Sequence, residues 1–173
     1  MAENPCAPSY TLGMREIQRF LPHRSPFLLV DRILEIHPVG NQDSVTSEDK
    51  IGTRVVAVKN VSFNEPYFPG HFPGLPLVPG VLMIESMAQV ASFSIYPALC
   101  KDIDRLAREF QCILVGVNSA RFRKPVVPGD VMKIETVVSK GRGKLWVFDC
   151  EATVEGKTVA SAEIMANLIS NSA

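Results

Sequence analysis

Four stretches in the second half of the chain read as strands: 111–123, 131–140, 145–154 and 157–169. Gly141-Arg142-Gly143 and Glu155-Gly156 join the last three as short glycine-containing hairpin connections. The first half adds two more strands. Residues 27–36 place Leu28, Val30, Leu34 and Ile36 on one face and Asp31 and Glu35 on the other, and 54–61 follows as a second run. Met14, Ile17 and Leu21, at i, i+3 and i+7, predict a short amphipathic helix that Pro22 stops. Ile103, Leu106, Ala107 and Phe110 predict another. Residues 1–10 read as a loose tail, and 38–53, polar and rich in turn formers, as a mobile surface loop.

Two adjacent segments break this pattern. In 69–80, seven of the twelve residues are Pro or Gly, which excludes helix and central strand. Such a segment holds one backbone shape with little entropy left to lose, and its one ionisable residue is His71. Residues 81–96 then predict a helix of about four turns, entered through Pro79 and Gly80 and ended by Pro97. It is apolar on nearly every side, which requires burial on every side. One polar line interrupts it: Glu85, Gln89, Ser92 and Tyr96. The pattern predicts an α+β fold, a largely antiparallel sheet of about six strands wrapped around one long buried helix, in one domain over residues 11–173.

Composition narrows the function. The 173 residues carry 18 Lys+Arg against 18 Asp+Glu, so the chain lacks the basic surplus of a general nucleic-acid binder. No apolar run approaches the roughly 18 residues of a membrane span, and the N-terminus carries no signal-peptide pattern. A cytoplasmic, reducing setting is expected, with Cys6, Cys100, Cys112 and Cys150 as inert thiols: no C-x-x-C spacing suggests zinc or a disulfide framework.

The candidate chemistry centres on His71 and Glu85. A loop histidine is commonly satisfied by a backbone carbonyl, and a carboxylate in the first turns of a helix is favoured by the helix dipole. Yet a charge on an apolar helix is costly unless it is paired or used. A rigidly held imidazole and a buried carboxylate together suit general acid–base work. Gly80, without a Cβ at the helix N-terminus, allows an oxygen to approach free N–H groups, the geometry of an oxyanion hole. His23, His37 and His71 lack metal-ligand spacing, Gly141-Arg142-Gly143 is no dinucleotide fingerprint, and no nucleophile elbow is present. Arg121, Arg123 and Lys124 form a small basic cluster, either a solvated strand edge or a docking patch for an acidic partner.

Four segments carry a resemblance. Leu21-Pro22-His23-Arg24-Ser25-Pro26-Phe27-Leu28-Leu29-Val30-Asp31-Arg32 resembles the opening of the FabZ-type (3R)-hydroxyacyl-[acyl-carrier-protein] dehydratases. Asn64 to Gly74 resembles their histidine loop, Pro79 to Gln89 their glutamate helix, and Ala120 to Asp130 a later strand and turn. The match runs in order from about residue 12 to 168. It implies a hot-dog fold and dehydration of a 3-hydroxyacyl thioester on acyl carrier protein to the trans-2-enoyl product in type II fatty acid biosynthesis, with no cofactor and no metal. By that carry-over His71 is the base and Glu85 the acid. The Gly80 N–H holds the thioester oxygen, Gln89 orients the carboxylate or a water, and the basic cluster meets the acidic carrier protein.

The same resemblance implies a site shared across a homodimer, with dimers assembling into hexamers. Related dehydratase/isomerases carry Asp where this chain has Glu85, so isomerisation is not expected. The 38–53 loop is longer than usual for the family, and Ile113 or Leu114 stands where some members have an aromatic gate. A hot-dog thioesterase using Glu85 to activate water, and a non-catalytic acyl-binding module, are the competing readings.

Overall fold

The computed structural model describes residues 10–102, 104 and 109–170. The second half folds as its alternation requires, into β3 (Phe110–Phe122), β4 (Val131–Arg142), β5 (Leu145–Val154) and β6 (Lys157–Ser170). Glu155 and Gly156 turn the β5–β6 hairpin with φ of 51° and 73°, the left-handed pair that a two-residue connection needs. The β4–β5 turn is tighter than expected, since β4 continues through Arg142. With β1 (Arg32–His37) and β2 (Arg54–Asn60) the strands form one antiparallel sheet in the order β1-β2-β4-β5-β6-β3.

Helix α1 (Met14–Phe20) closes one end: Phe20 is fully buried, its ring 4.7 Å from Phe93 and 5.4 Å from Tyr96. Helix α2 (Gly80–Ala91) packs against β2, β4, β5 and β6, and Met83, Met87, Val90 and Ala91 enter the shared core. Burying one such Met or Val side chain contributes about 1.5–3 kcal/mol.

Several expectations need correction. The long helix does not run unbroken from 81 to 96. It is regular to Ala91, tightens to a 3₁₀ turn over Ser92–Ile95, and resumes as α3 (Tyr96–Leu99). Pro97 cannot donate to the carbonyl four residues back, and its ring clashes there. The Tyr96 N–H instead bonds Phe93 three residues back, and Pro97 sits inside the new turn rather than ending the old one. Nor is the helix buried all round, because Val81 is 71% exposed.

The strand expected over 27–36 begins only at Arg32, because the Phe27 carbonyl and Leu29 N–H bond to the Gln89 side chain instead of a neighbouring strand. The 38–53 segment is anchored, not a free surface loop. Lys50 is fully buried with its Nζ 2.6 Å from the Asn41 carbonyl, and burial pulls its pKa below the usual lysine range. Glu48 accepts the Gly143 N–H at 2.6 Å, clamping the segment to the β4–β5 turn. Most of the helix expected around 103–110 (residues 103 and 105–108) and of the tail over 1–10 (residues 1–9) lies outside the described residues; Phe110 opens β3 and Tyr10 packs edge-on against Tyr96.

One sheet edge stands out. β3 is terminal in the sheet, and its consecutive residues Ile113, Leu114 and Val115 are 44%, 45% and 48% exposed. Successive side chains point to opposite faces of a strand, so β3 is open and apolar on both faces.

Candidate active site

The Pro/Gly-rich loop fixes His71 through its own backbone. The His71 N–H bonds the Tyr67 carbonyl at 2.9 Å, the Leu77 N–H bonds the His71 carbonyl at 2.9 Å, and Val78 is tied to Val126 at 2.9 Å. The imidazole stacks on Phe72 with ring centres 4.1 Å apart. Its Nδ1 lies 2.9 Å from the Leu77 carbonyl oxygen. A carbonyl oxygen can only accept, so the hydrogen is on Nδ1 and the lone pair of a neutral His71 is on Nε2. The backbone-satisfied histidine that seemed the plain alternative to a base is thus what sets up a base.

The approach to this loop is pinned by a buried ion pair. Lys59 Nζ lies 2.7 Å from Glu65 Oε1, with the side chains 5% and 16% exposed. Removing one partner strands the other charge in the interior. Glu65→Ala is expected to cost about 3 kcal/mol or more, lowering the melting temperature by about 6–12 °C at 2–4 °C per kcal/mol. Lys59→Met combined with Glu65→Leu should recover most of that in a thermal melt, since paired removal leaves no orphan charge.

Glu85 sits in the second turn of α2, its side chain 23% exposed. Gln89, one turn on and 2% exposed, is fully committed: its Oε1 accepts the Leu29 N–H at 2.9 Å, and its Nε2 donates to the Phe27 carbonyl and to Glu85 Oε1, both at 2.8 Å. The amide orientation is therefore unambiguous, and Oε1 of Glu85 is an accepting oxygen in either protonation state. An acid proton on Glu85 belongs on Oε2.

Glu85 and Gln89 line a cleft of about 460 Å³ with His23, Ser92, Cys112, Ile113 and Leu114, walled by Phe148, Ile164 and Ala166. The shape suits an apolar chain with a few polar groups near one wall. Desolvation of its sulfur at the cleft wall holds the Cys112 thiol above its usual range even though the residue is exposed, and full burial does the same at Cys150, so both stay protonated near neutrality. His71 stands outside the lining of this cleft, while His23, whose Nε2 lies 3.4 Å from Glu85 Oε1, belongs to it. Sequence reasoning considered His23 only for metal binding; it lies in a different segment, and no local periodicity links it to the carboxylate.

Gly80 opens α2, where a Cβ would meet the Phe122 ring at 2.9 Å. Phe122 lies between Arg121 and Arg123, so the segment that carries the basic cluster runs past the entrance of α2. Arg121, Arg123 and Lys124 are all exposed, and Arg123 donates to Ser161 Oγ at 2.7 Å.

The chain is similar to known proteins along most of its length. The model of the FabA-like domain matches residues 21–163. A 3-hydroxyacyl-[acyl-carrier-protein] dehydratase FabZ of Rhizobium rhizogenes is 46% identical over 154 residues, covering 89% of this chain and 86% of the relative. A protein of the same name from Geobacter metallireducens is 42% identical, covering 88% and 91%. Among solved structures, the dehydratase heterocomplex ApeI:P of Xenorhabdus doucetiae superposes with a TM-score of 0.63 at 19% identity, covering 90% of this chain and 91% of that one. A hot-dog-like protein of Thermanaerovibrio acidaminovorans gives 0.56 at 20% identity, covering 70% and 84%. The six-stranded sheet packed on α2 is the hot-dog fold.

Proposed function

This chain belongs to the FabA-like family, and from that premise we propose that it removes water from a 3-hydroxyacyl chain carried on acyl carrier protein, giving the trans-2-enoyl thioester in type II fatty acid biosynthesis. His71 Nε2 takes the proton from the carbon next to the thioester carbonyl. The Gly80 N–H holds the thioester oxygen as enolate charge develops. Glu85 delivers a proton from Oε2 to the departing hydroxyl, which leaves as water. The imidazolium and carboxylate then reset by passing one proton back through solvent. Gln89 keeps Oε1 out of the exchange. The observation that carries this reading is the pair of fixed proton addresses: Leu77 leaves His71 Nε2 bare, and Gln89 reserves Glu85 Oε2.

The two groups meet in a homodimer, one chain's His71 facing the other chain's Glu85. The free edge of β3 supports this assembly, because a second β3 laid along it in two-fold symmetry pairs the open backbone edge of both chains at once. Three such dimers form a hexamer. The reaction runs in the cytoplasm, where Cys100, Cys112 and Cys150, all unpaired, stay reduced. The test is incubation with a 3-hydroxyacyl thioester while enoyl absorbance and free thiol are followed together. Enoyl without thiol is the expected result; thiol release, or neither signal, overturns the reading.

The carrier protein docks on Arg121, Arg123 and Lys124. Arg121→Glu or Lys124→Glu is expected to raise the apparent KM for carrier-bound substrate about three- to tenfold and to flatten its salt dependence. A short thioester without the carrier should lose much less, and equal losses on both substrates would place the damage in the fold or the site.

A further inference from the structure

A smaller hollow continues the cleft away from Glu85. Ser92, Cys112, Phe148 and Ala166 line both spaces, and beyond them the hollow ends against Ile95, Trp146 and Leu168. Every wall runs the same way. On the helix side the lining passes from Glu85 through Gln89 and Ser92 to Ile95. On β6 it passes from Ile164 through Ala166 to Leu168, and on β3 from Leu114 to Cys112, with Leu114 paired to Ala166 and Cys112 to Leu168. Residues two apart share one face of a strand, so these steps follow a single side of the sheet. The far end is narrow and presents almost only apolar surface. Trp146 is 3% exposed and Ile95 5%, and the Trp146 ring lies nearly parallel to Phe148 with centres 6.1 Å apart. The hollow holds about 20 Å³. An apolar space of that size suits a methyl group better than a water, which needs several polar partners.

Resting on the dehydratase reading above, we infer that this hollow receives the methyl end of the acyl chain and that Trp146 is the specificity-determining residue that sets the longest chain accepted. Glu85 faces the carbon that bears the hydroxyl. From Glu85 to Ile95 the helix and its 3₁₀ turn advance about 15 Å, at about 1.5 Å per residue. An extended chain advances about 1.2 Å per bond, as a polypeptide covers three bonds in about 3.5 Å. About twelve bonds then separate the hydroxyl carbon from the hollow, which matches acyl chains of about 14–16 carbons.

The stop is firm because of what stands behind it. The indole belongs to the main core, so a longer chain has to push a packed ring aside, and a close-packed interior resists that. Each methylene short of the stop adds apolar burial; one beyond it adds strain.

Trp146 is the only tryptophan in the chain, so its fluorescence reports from the hollow itself. The probes are saturated acyl thioesters of N-acetylcysteamine with bromine at the chain end. They have no hydroxyl to eliminate, and the bromine quenches an indole that it touches. Quenching should be weak with short chains and strongest at about 14–16 carbons. Leu168→Phe fills the hollow from a half-buried position and keeps the reporter, so it should move the maximum to shorter chains. In turnover of 3-hydroxyacyl thioesters, kcat/KM should rise about fourfold per added methylene, the worth of burying one, and stop rising at the same length. Leu168→Phe should bring that limit to shorter chains and Trp146→Phe should extend it to longer ones, with a thermal melt establishing that each variant is folded. Quenching that is absent or independent of chain length overturns the inference, as does a limit that Leu168→Phe leaves in place. Length-dependent quenching in a protein that dehydrates nothing refutes the dehydratase reading and leaves the chain-end site standing. Enoyl formation with no length-dependent quenching does the reverse.

Discussion

Replacing His71 by alanine lowers turnover by roughly 10²–10⁴-fold, the usual contribution of a positioned general base, and leaves the protein folded. The separation of the two effects follows from how the loop is held. Its shape rests on the backbone bonds among Tyr67, His71, Leu77 and Val78 and on the Lys59–Glu65 pair, none of which involves the imidazole. The ring contributes one hydrogen bond, to Leu77, worth about 1 kcal/mol, and its stacking on Phe72. The sharper variant is His71→Asn. The Asn amide can donate to the Leu77 carbonyl as Nδ1–H does, but it carries no basic nitrogen. It should melt like the wild type and be as inactive as His71→Ala. Steady-state turnover measured beside a thermal melt checks both, and near-wild-type activity in either folded variant would make His71 a structural residue.

The strands were legible because alternation reports a sheet with one buried face, and each glycine-marked turn fell between two such runs. Glu85 and Gln89 were legible as a pair because i and i+4 share one helix face. Other features depended on contacts between distant segments. Nothing near His23 in sequence indicates that its ring lies beside Glu85, nor that Phe122 covers Gly80. The 38–53 loop misled for a chemical reason: its polar composition suggested solvent, yet Lys50 is buried because its ammonium reaches the Asn41 carbonyl. The end of the long helix misled for a related reason. Pro97 stops α-helical hydrogen bonding at Phe93, but the chain absorbs the loss in a 3₁₀ turn and continues. The start of β1 was hidden because Gln89, a helix residue, takes the backbone groups that a strand would have used.

The central claim is that one chain's His71 and the other chain's Glu85 work on the same substrate. Two variants, each inactive alone, test it: His71→Ala and Glu85→Ala, unfolded and refolded together in equal amounts. Random pairing makes half the dimers mixed. In a mixed dimer one site receives both lesions and the other neither, so activity should return to about a quarter of the wild-type value. A tagged-chain pull-down first establishes that mixed dimers have formed. If His71 and Glu85 instead acted within one chain, every site would carry one lesion and mixing would restore nothing. Recovery near one quarter is the result this account predicts, and mixed dimers without activity would contradict it.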